Sequence, residues 1–191
     1  GFKGANLVEE NYSQCYQDLF ALTALDGKKN GTYLEIGAGH PTYGNNTLLL
    51  TQWGWKGASL DISKEFIEEW NKKRNLDTIL DQNSLSADYL DIADNYIGTR
   101  QIDYLQLDVD PAYNTYRTLE RIPFDKLEFG VITYEHDYYC DNTKSYRNKS
   151  QQLLTEAGYV LVAENISPDE NSPYEDWWVH PKYVKNLFFF F

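Results

Sequence analysis

Short apolar runs alternate with stretches of helical period along most of this chain. Tyr33-Leu34 with Ile36, Trp55 to Ile62, Asp77 to Asp81, Ile102 to Asp110, Leu127 to Glu135, Tyr159 to Ala163 and Asp176 to Val179 read as seven strands. Between them the pattern changes to helices. Tyr12 to Phe20 opens the first, with Ser13 as its cap and Leu19, Phe20 and Leu22 on its apolar side. Asn45-Asn46-Thr47 caps a second that buries Leu48, Leu49 and Trp53, and Ser63 caps a third carrying Phe66, Ile67 and Trp70. Further helices are expected from Asp81 through about Tyr96, around Tyr113 to Arg121, and around Arg147 to Ala157, where Gly158 ends the last.

Strands alternating with helices predict an α/β fold: a three-layer, Rossmann-like sandwich around a mostly parallel seven-stranded sheet. The polar, proline-containing segment from Asn165 to Pro173 reads as a hairpin loop, which makes the C-terminal strand antiparallel. No repeat or linker divides the chain, so residues 1–191 are expected to form a single domain, with 1–11 a loosely ordered arm.

The first strand runs into Gly37-Ala38-Gly39, a turn in which glycine permits positive φ and a close ligand approach. A dinucleotide fingerprint would place a third glycine where Thr42 stands, and no Gly-Lys-Ser/Thr phosphate loop is present. Acids gather at the predicted strand ends: Glu35, Asp61, Asp81, Asp108, Asp110 and Glu135. Ligands on parallel sheets bind beyond those ends, so the acids mark the candidate site.

Charge narrows the partners. Lys and Arg number 17 against 29 Asp and Glu, a net charge of -12, which disfavours nucleic acid or an anionic membrane as partner. Cys15 and Cys140 form neither a CxxC nor a disulfide framework, no stretch is long enough to span a membrane, and no signal-peptide pattern is present. A cytoplasmic protein acting on a small molecule is the expectation. The Phe-rich end, Leu187 to Phe191, reads as a buried edge, a chain end or the contact of a homodimer.

The motifs resemble the FkbM-type branch of class I S-adenosylmethionine (SAM) methyltransferases. The matching stretches are Ser13-Gln14 with Gln17-Asp18, Leu34 to Gly39 with Asn45-Asn46-Thr47, Gly54 to Gly57, Ile102 to Asp110, Arg147, and Glu175 to Trp178. The family commonly continues the fourth-strand acids with Glu-Gly, where this chain has Asp110-Pro111. The resemblance implies a SAM cofactor. Glu35, Gly37, Ala38, Gly39 and Asn46 would meet its methionine part, Asp61 its ribose hydroxyls with Ile62 alongside, and Asp81 with Gln82 or Asn83 its adenine. Asp108 would lie near the sulfonium.

Asp108-Val109-Asp110 and Glu135-His136-Asp137 are the candidate chemistry: methylating a hydroxyl demands a base, and His136 is expected in that role, with Asp108, Asp110 and Glu135 in support. The same carboxylates suit Mg²⁺ or Mn²⁺, but no spacing requires a metal and turnover without one is expected. O-methylation of a small-molecule, sugar or polyketide-like hydroxyl is the leading expectation. Two rivals remain: a metal-dependent nucleotide-sugar transferase using Asp108-Val109-Asp110, and a catalytically silent SAM-binding protein.

Overall fold

The first apolar run becomes β1 (Thr32–Ile36), near the middle of a seven-stranded sheet in the computed structural model. The structure describes residues 1–140 and 145–185; the Phe-rich terminus lies outside them. The other strands are β2 (Lys56–Asp61), β3 (Thr78–Asp81), β4 (Gln101–Leu107), β5 (Glu128–Glu135), β6 (Val160–Ile166) and β7 (Glu175–Val179). Their order is β3-β2-β1-β4-β5-β7-β6; β1 to β5 pair in parallel, and β7 runs antiparallel to both β5 and β6. The predicted sandwich and its closing antiparallel strand are what the sheet shows.

Neighbouring residues on a strand point to opposite faces, and the two faces feed two cores. Leu34, Leu105 and Ile132 join one apolar cluster; Tyr33, Tyr104 and Val131 join the other. The first core receives α4 (Tyr89–Ile92), α5 (Ala112–Arg121) and α6 (Ser145–Glu156), through Ile92, Leu119 and Leu154. The second receives α1 (Gln17–Ala24) and α2 (Leu48–Gln52), through Phe20, Leu22, Leu49 and Leu50. α3 (Lys64–Lys73) is capped by Ser63, whose Oγ accepts from the Phe66 N–H at 3.3 Å.

Two helix starts are corrected. The first helix begins at Gln17, five residues later than its predicted opening, because residues 12–16 make loop bonds instead: the Asp18 carboxylate accepts from the N–H groups of Tyr12 and Ser13 at 2.9 and 3.3 Å, and Gln17 Oε1 from that of Cys15 at 2.8 Å. The helix after β3 starts only at Tyr89, since Asn83 Oδ1 holds the Leu85 N–H in a turn at 2.9 Å; it then passes into a π-helical segment, Ala93–Ile97. The N-terminal arm is docked, with Phe2 edge-on to Trp53 at 5.7 Å between ring centroids and the Lys3 N–H bonded to Asp26.

Chain order reverses between β1 and β4: the chain runs outward through β2 and β3, then crosses back. The loops beyond the carboxyl ends diverge there and leave a crevice.

Candidate active site

Beyond β1, Gly37 and Gly39 adopt φ of +79° and +63°. A Cβ on Gly37 would collide with the Asp108 carbonyl oxygen, so only glycine lets this turn lie against the end of β4. Gly39 is held from both sides. Its N–H donates to Asp61 Oδ2 at 2.9 Å, and its carbonyl accepts from Trp70 Nε1 at 2.8 Å. The other Asp61 oxygen takes the Ile62 and Ser63 N–H groups, both at 2.8 Å. Three backbone donors thus fix this carboxylate at the end of β2.

Two cavities flank the glycine turn. The larger, about 400 Å³, lies over the ends of β2, β3 and β4, walled by Leu60, Asp61, Ile62 and Phe66 on one side and by Gln82 to Leu85 with Asn114 on the other. The smaller, about 100 Å³, lies under the turn between α1 and β7, where Gln14, Gln17, Glu35, Asn46, Gln106 and Glu175 are among its walls. Gly37, Gly39 and Asp108 line both.

Most expected residues come together here. Gly37, Gly39, Asp61, Ile62, Gln82, Asp108 and Asp110 line the larger cavity; Glu35, Ala38, Asn46 and Glu135 line the smaller one. Asp81 does not. β3 sits at the sheet edge, and its terminal Asp81 is exposed and outside the cavity wall, so Gln82 and Asn83 stand where that acid was expected. β4 ends at Leu107, so Asp108 to Asp110 form a loop rather than one strand face; both acids still reach the larger cavity.

Glu35 is almost wholly buried and serves as an anchor. Ser59 Oγ and Thr47 Oγ1 donate to its Oε1 at 2.7 and 3.0 Å. Behind Thr47, the buried Arg74 guanidinium reaches Thr47 Oγ1, Asn45 Oδ1 and the Pro41 carbonyl. Burial pushes the Glu35 carboxyl up to about 7, although Arg74 and these donors pull it down. Arg74 ends a helix far along the chain, and no pattern in the sequence assigns it this task.

A carboxyl cluster closes the far side of the smaller cavity. Glu135, the last residue of β5, lies within hydrogen-bonding reach of both Asp108 and Asp137. A bond between two carboxyls needs a proton on one of them. Burial, then the charge of Asp108, hold the Glu135 carboxyl far above the usual carboxylate range. Asp108 is pushed up to about 6, first by burial, then by Asp110, Asp137 and Asp61, while the bond to Glu135 draws it down. Glu175, buried at the start of β7, is raised to about 8 by burial, with Trp177 Nε1 donating to it at 2.7 Å. Asp137 belongs to the Glu135-His136-Asp137 run that the sequence offers as candidate chemistry; Glu175 stood out only within the Glu175 to Trp178 stretch, with no chemical role assigned to it.

These raised carboxyls predict a pH dependence. Glu35 and Glu175 ordinarily titrate near 4.5, so between there and about 8 the folded chain binds protons that the unfolded chain has lost. Their contribution to stability is therefore full at the acid end and falls as pH rises through that window. Thermal melting should show a lower Tm near pH 8 than near pH 5.5, by roughly a few degrees, and Glu175→Gln should flatten the trend. A Tm that rises steadily over this range would contradict the assignment.

His136 is not in the site. It is fully buried; its Nδ1 accepts the Tyr138 N–H at 3.0 Å, which leaves the proton on Nε2, and Nε2 donates to Asp176 Oδ1 at 3.0 Å. The expected base thus has both nitrogens engaged and lines neither cavity. Asp176 also accepts from Gln151 Nε2 and the Asn165 N–H, both at 2.9 Å, so the pair ties β5, α6, β6 and β7 together.

No protein-family model matches the chain, and no curated protein matches it by sequence. Solved structures do match its fold, which is that of class I SAM-dependent methyltransferases. A proposed rRNA methylase from Clostridium thermocellum is 16% identical, with 91% of this chain and 97% of that one covered at a TM-score of 0.61. A SAM-dependent methyltransferase from Clostridium acetobutylicum is 10% identical, with 93% and 95% covered at 0.54. M. capricolum TrmK, solved with S-adenosyl-homocysteine (SAH), is 14% identical, with 84% and 67% covered at 0.56. Among the described residues no helix is long and apolar enough to cross a membrane.

Proposed function

We propose that this chain is a SAM-dependent methyltransferase acting on a small-molecule acceptor, its motifs resembling those of the FkbM-type branch. The observation that carries this reading is the pair of cavities meeting at Gly37, Gly39 and Asp108. The larger suits a nucleoside: Ile62, Phe66 and Leu85 offer apolar walls for a base, and Asp61 offers the remaining lone pairs of a fixed carboxylate to ribose hydroxyls. The smaller suits an amino acid head. Asn46 Oδ1 is a buried acceptor without a partner among the described residues, beside Glu35, and an ammonium group supplies the missing donor.

SAM supplies an electrophilic methyl group on a sulfonium. The chain's own residues would position it and the acceptor, and the carboxylates near Asp108 would face the positive charge. The acceptor reading differs from the neighbours' names. Net charge of -12 and cavity walls without lysine or arginine among the described residues oppose a nucleic acid backbone. O-methylation rested on His136 as base; with that ring engaged, proton transfer falls to the Asp108–Glu135–Asp137 carboxyls.

Calorimetry with SAM, SAH, NAD and a nucleotide sugar tests the reading. SAM and SAH should bind and the other two should not. Asp61→Ala, shown to be folded by its melting curve, should weaken SAH about 10- to 100-fold, the loss of charged hydrogen bonds worth roughly 1.5–3 kcal/mol. Unchanged affinity would place the cofactor elsewhere.

A further inference from the structure

If the larger cavity and the glycine turn hold SAM, what remains of the smaller cavity specifies the atom that is methylated. We infer that the acceptor is an amine, which enters as an ammonium ion and is held by Gln106, Asp108, Glu135 and Asp137.

Charge is the first argument. Glu35, Asp108, Glu135 and Glu175 all line the smaller cavity, Asp137 joins through its bond to Glu135, and Asp110 stands beside them in the larger cavity. Among the described residues no lysine or arginine lines either cavity; Arg74, the cation nearest Glu35, lies behind Thr47. Carboxyls packed this closely without a counter-ion share protons, as Glu135 does with its neighbours. SAM's ammonium beside Asn46 and Glu35 and its sulfonium near Asp108 answer part of this charge; an organic cation among the remaining carboxyls answers the rest, which a neutral hydroxyl does not.

A donor count is the second. Gln106 is only 3% exposed, lines the smaller cavity, and its Oε1 has no hydrogen-bond partner among the described residues. It lies on β4 opposite Glu35 of β1 and two residues before Asp108. An amide oxygen only accepts, as do ionised carboxylates. An ammonium brings three N–H donors to these oxygens. An alcohol brings one O–H and turns its lone pairs toward oxygens that repel them. The buried His136, the one neutral base expected for a hydroxyl, is committed to Asp176 and Tyr138.

The chemistry balances. One proton of the ammonium passes to a carboxylate of the Asp108–Glu135–Asp137 cluster, freeing the nitrogen lone pair. The amine nitrogen attacks the methyl carbon in line with the methyl–sulfur bond. The N–C bond forms as that bond breaks, and its electron pair stays on sulfur, leaving neutral SAH and an N-methylammonium product. The raised affinity of the cluster for protons favours the first transfer.

Matched probes test this on the full chain saturated with SAH. Calorimetry near neutral pH compares 2-phenylethylamine with 2-phenylethanol, and glucosamine with glucose, and tritiated-methyl SAM reports transfer to each. At least one amine should bind ten-fold or more tightly than its hydroxyl twin, and label should enter amines alone. Gln106→Leu should erase most of the preference; melting establishes that it is folded, and Asp137→Asn, in the loop beyond β5, tests the same preference if it is not. An alcohol that binds or is methylated as well as its amine twin overturns the inference, as does a protein that binds SAH but neither amine. A protein that does not bind SAH at all fails the cofactor reading itself, and the inference falls with it.

Discussion

Gly37→Ala is expected to cost about 3 kcal/mol or more of folding stability, read as a shift in the urea midpoint, while Gly39→Ala should cost only about 1–2 kcal/mol. Both glycines have positive φ, so both substitutions carry the left-handed penalty for an L-residue. The difference lies in the space around them. A methyl on Gly37 would strike the Asp108 carbonyl oxygen and press Val109 Cγ1 at 3.1 Å, whereas one on Gly39 would meet no heavy atom within 4 Å. The obstacle at Gly37 is the backbone where β4 ends, and that backbone is fixed because the Asp108 N–H donates to the Ile36 carbonyl at 3.0 Å. The turn cannot relax without parting the two strands that flank the crevice. Equal losses in the two variants would mean that the turn does not pack on β4 as described. In Gly37→Ala, SAH affinity should fall together with stability, because the same contact sets both the strand ends and the cavity they share.

Much of this arrangement was legible because it is local. A strand followed by Gly-x-Gly, and acids at the ends of successive strands, are patterns within a few residues. Parallel pairing then brings Asp61 and Asp108 to the turn that they were expected to meet. Asp81 shows the limit of that logic: an acid at the end of an edge strand has the same sequence signature as one at a central strand, but the edge carries it away from the crevice. Gln106 shows another. A single polar residue inside an apolar strand breaks no pattern, and its importance depends on Glu35, which lies opposite it in the sheet and 71 residues earlier in the chain. Arg74 and Glu175 reach the site from the end of α3 and the start of β7, so only the folded sheet joins them to the glycine turn.

His136→Ala and His136→Asn are expected to behave as stability variants, with melting temperatures several degrees lower, and with SAH affinity and turnover per folded molecule close to those of the parent protein. The sequence pointed the other way, since a histidine just past β5, beside the fourth-strand acids, has the chemistry of a general base. β5 does pair with β4, and the position is as expected. The ring, however, turns toward β7. There Asp176, itself fully buried, receives the His136 Nε2–H, the Gln151 amide and the Asn165 N–H. Removing the imidazole leaves a buried carboxylate short of one donor and the Tyr138 N–H without its acceptor, a loss of roughly 3 kcal/mol. Asp176→Ala should cost at least as much, because it strands three donors at once, and the double variant should lose less than the sum of the two. A base acting in proton transfer would give the opposite result: a fall of about 10²–10⁴ in kcat, a changed pH profile, and a melting temperature near that of the parent. If the His136 variants melt normally and lose turnover on that scale, the imidazole moves in the working enzyme, and the carboxyl cluster is not the proton acceptor.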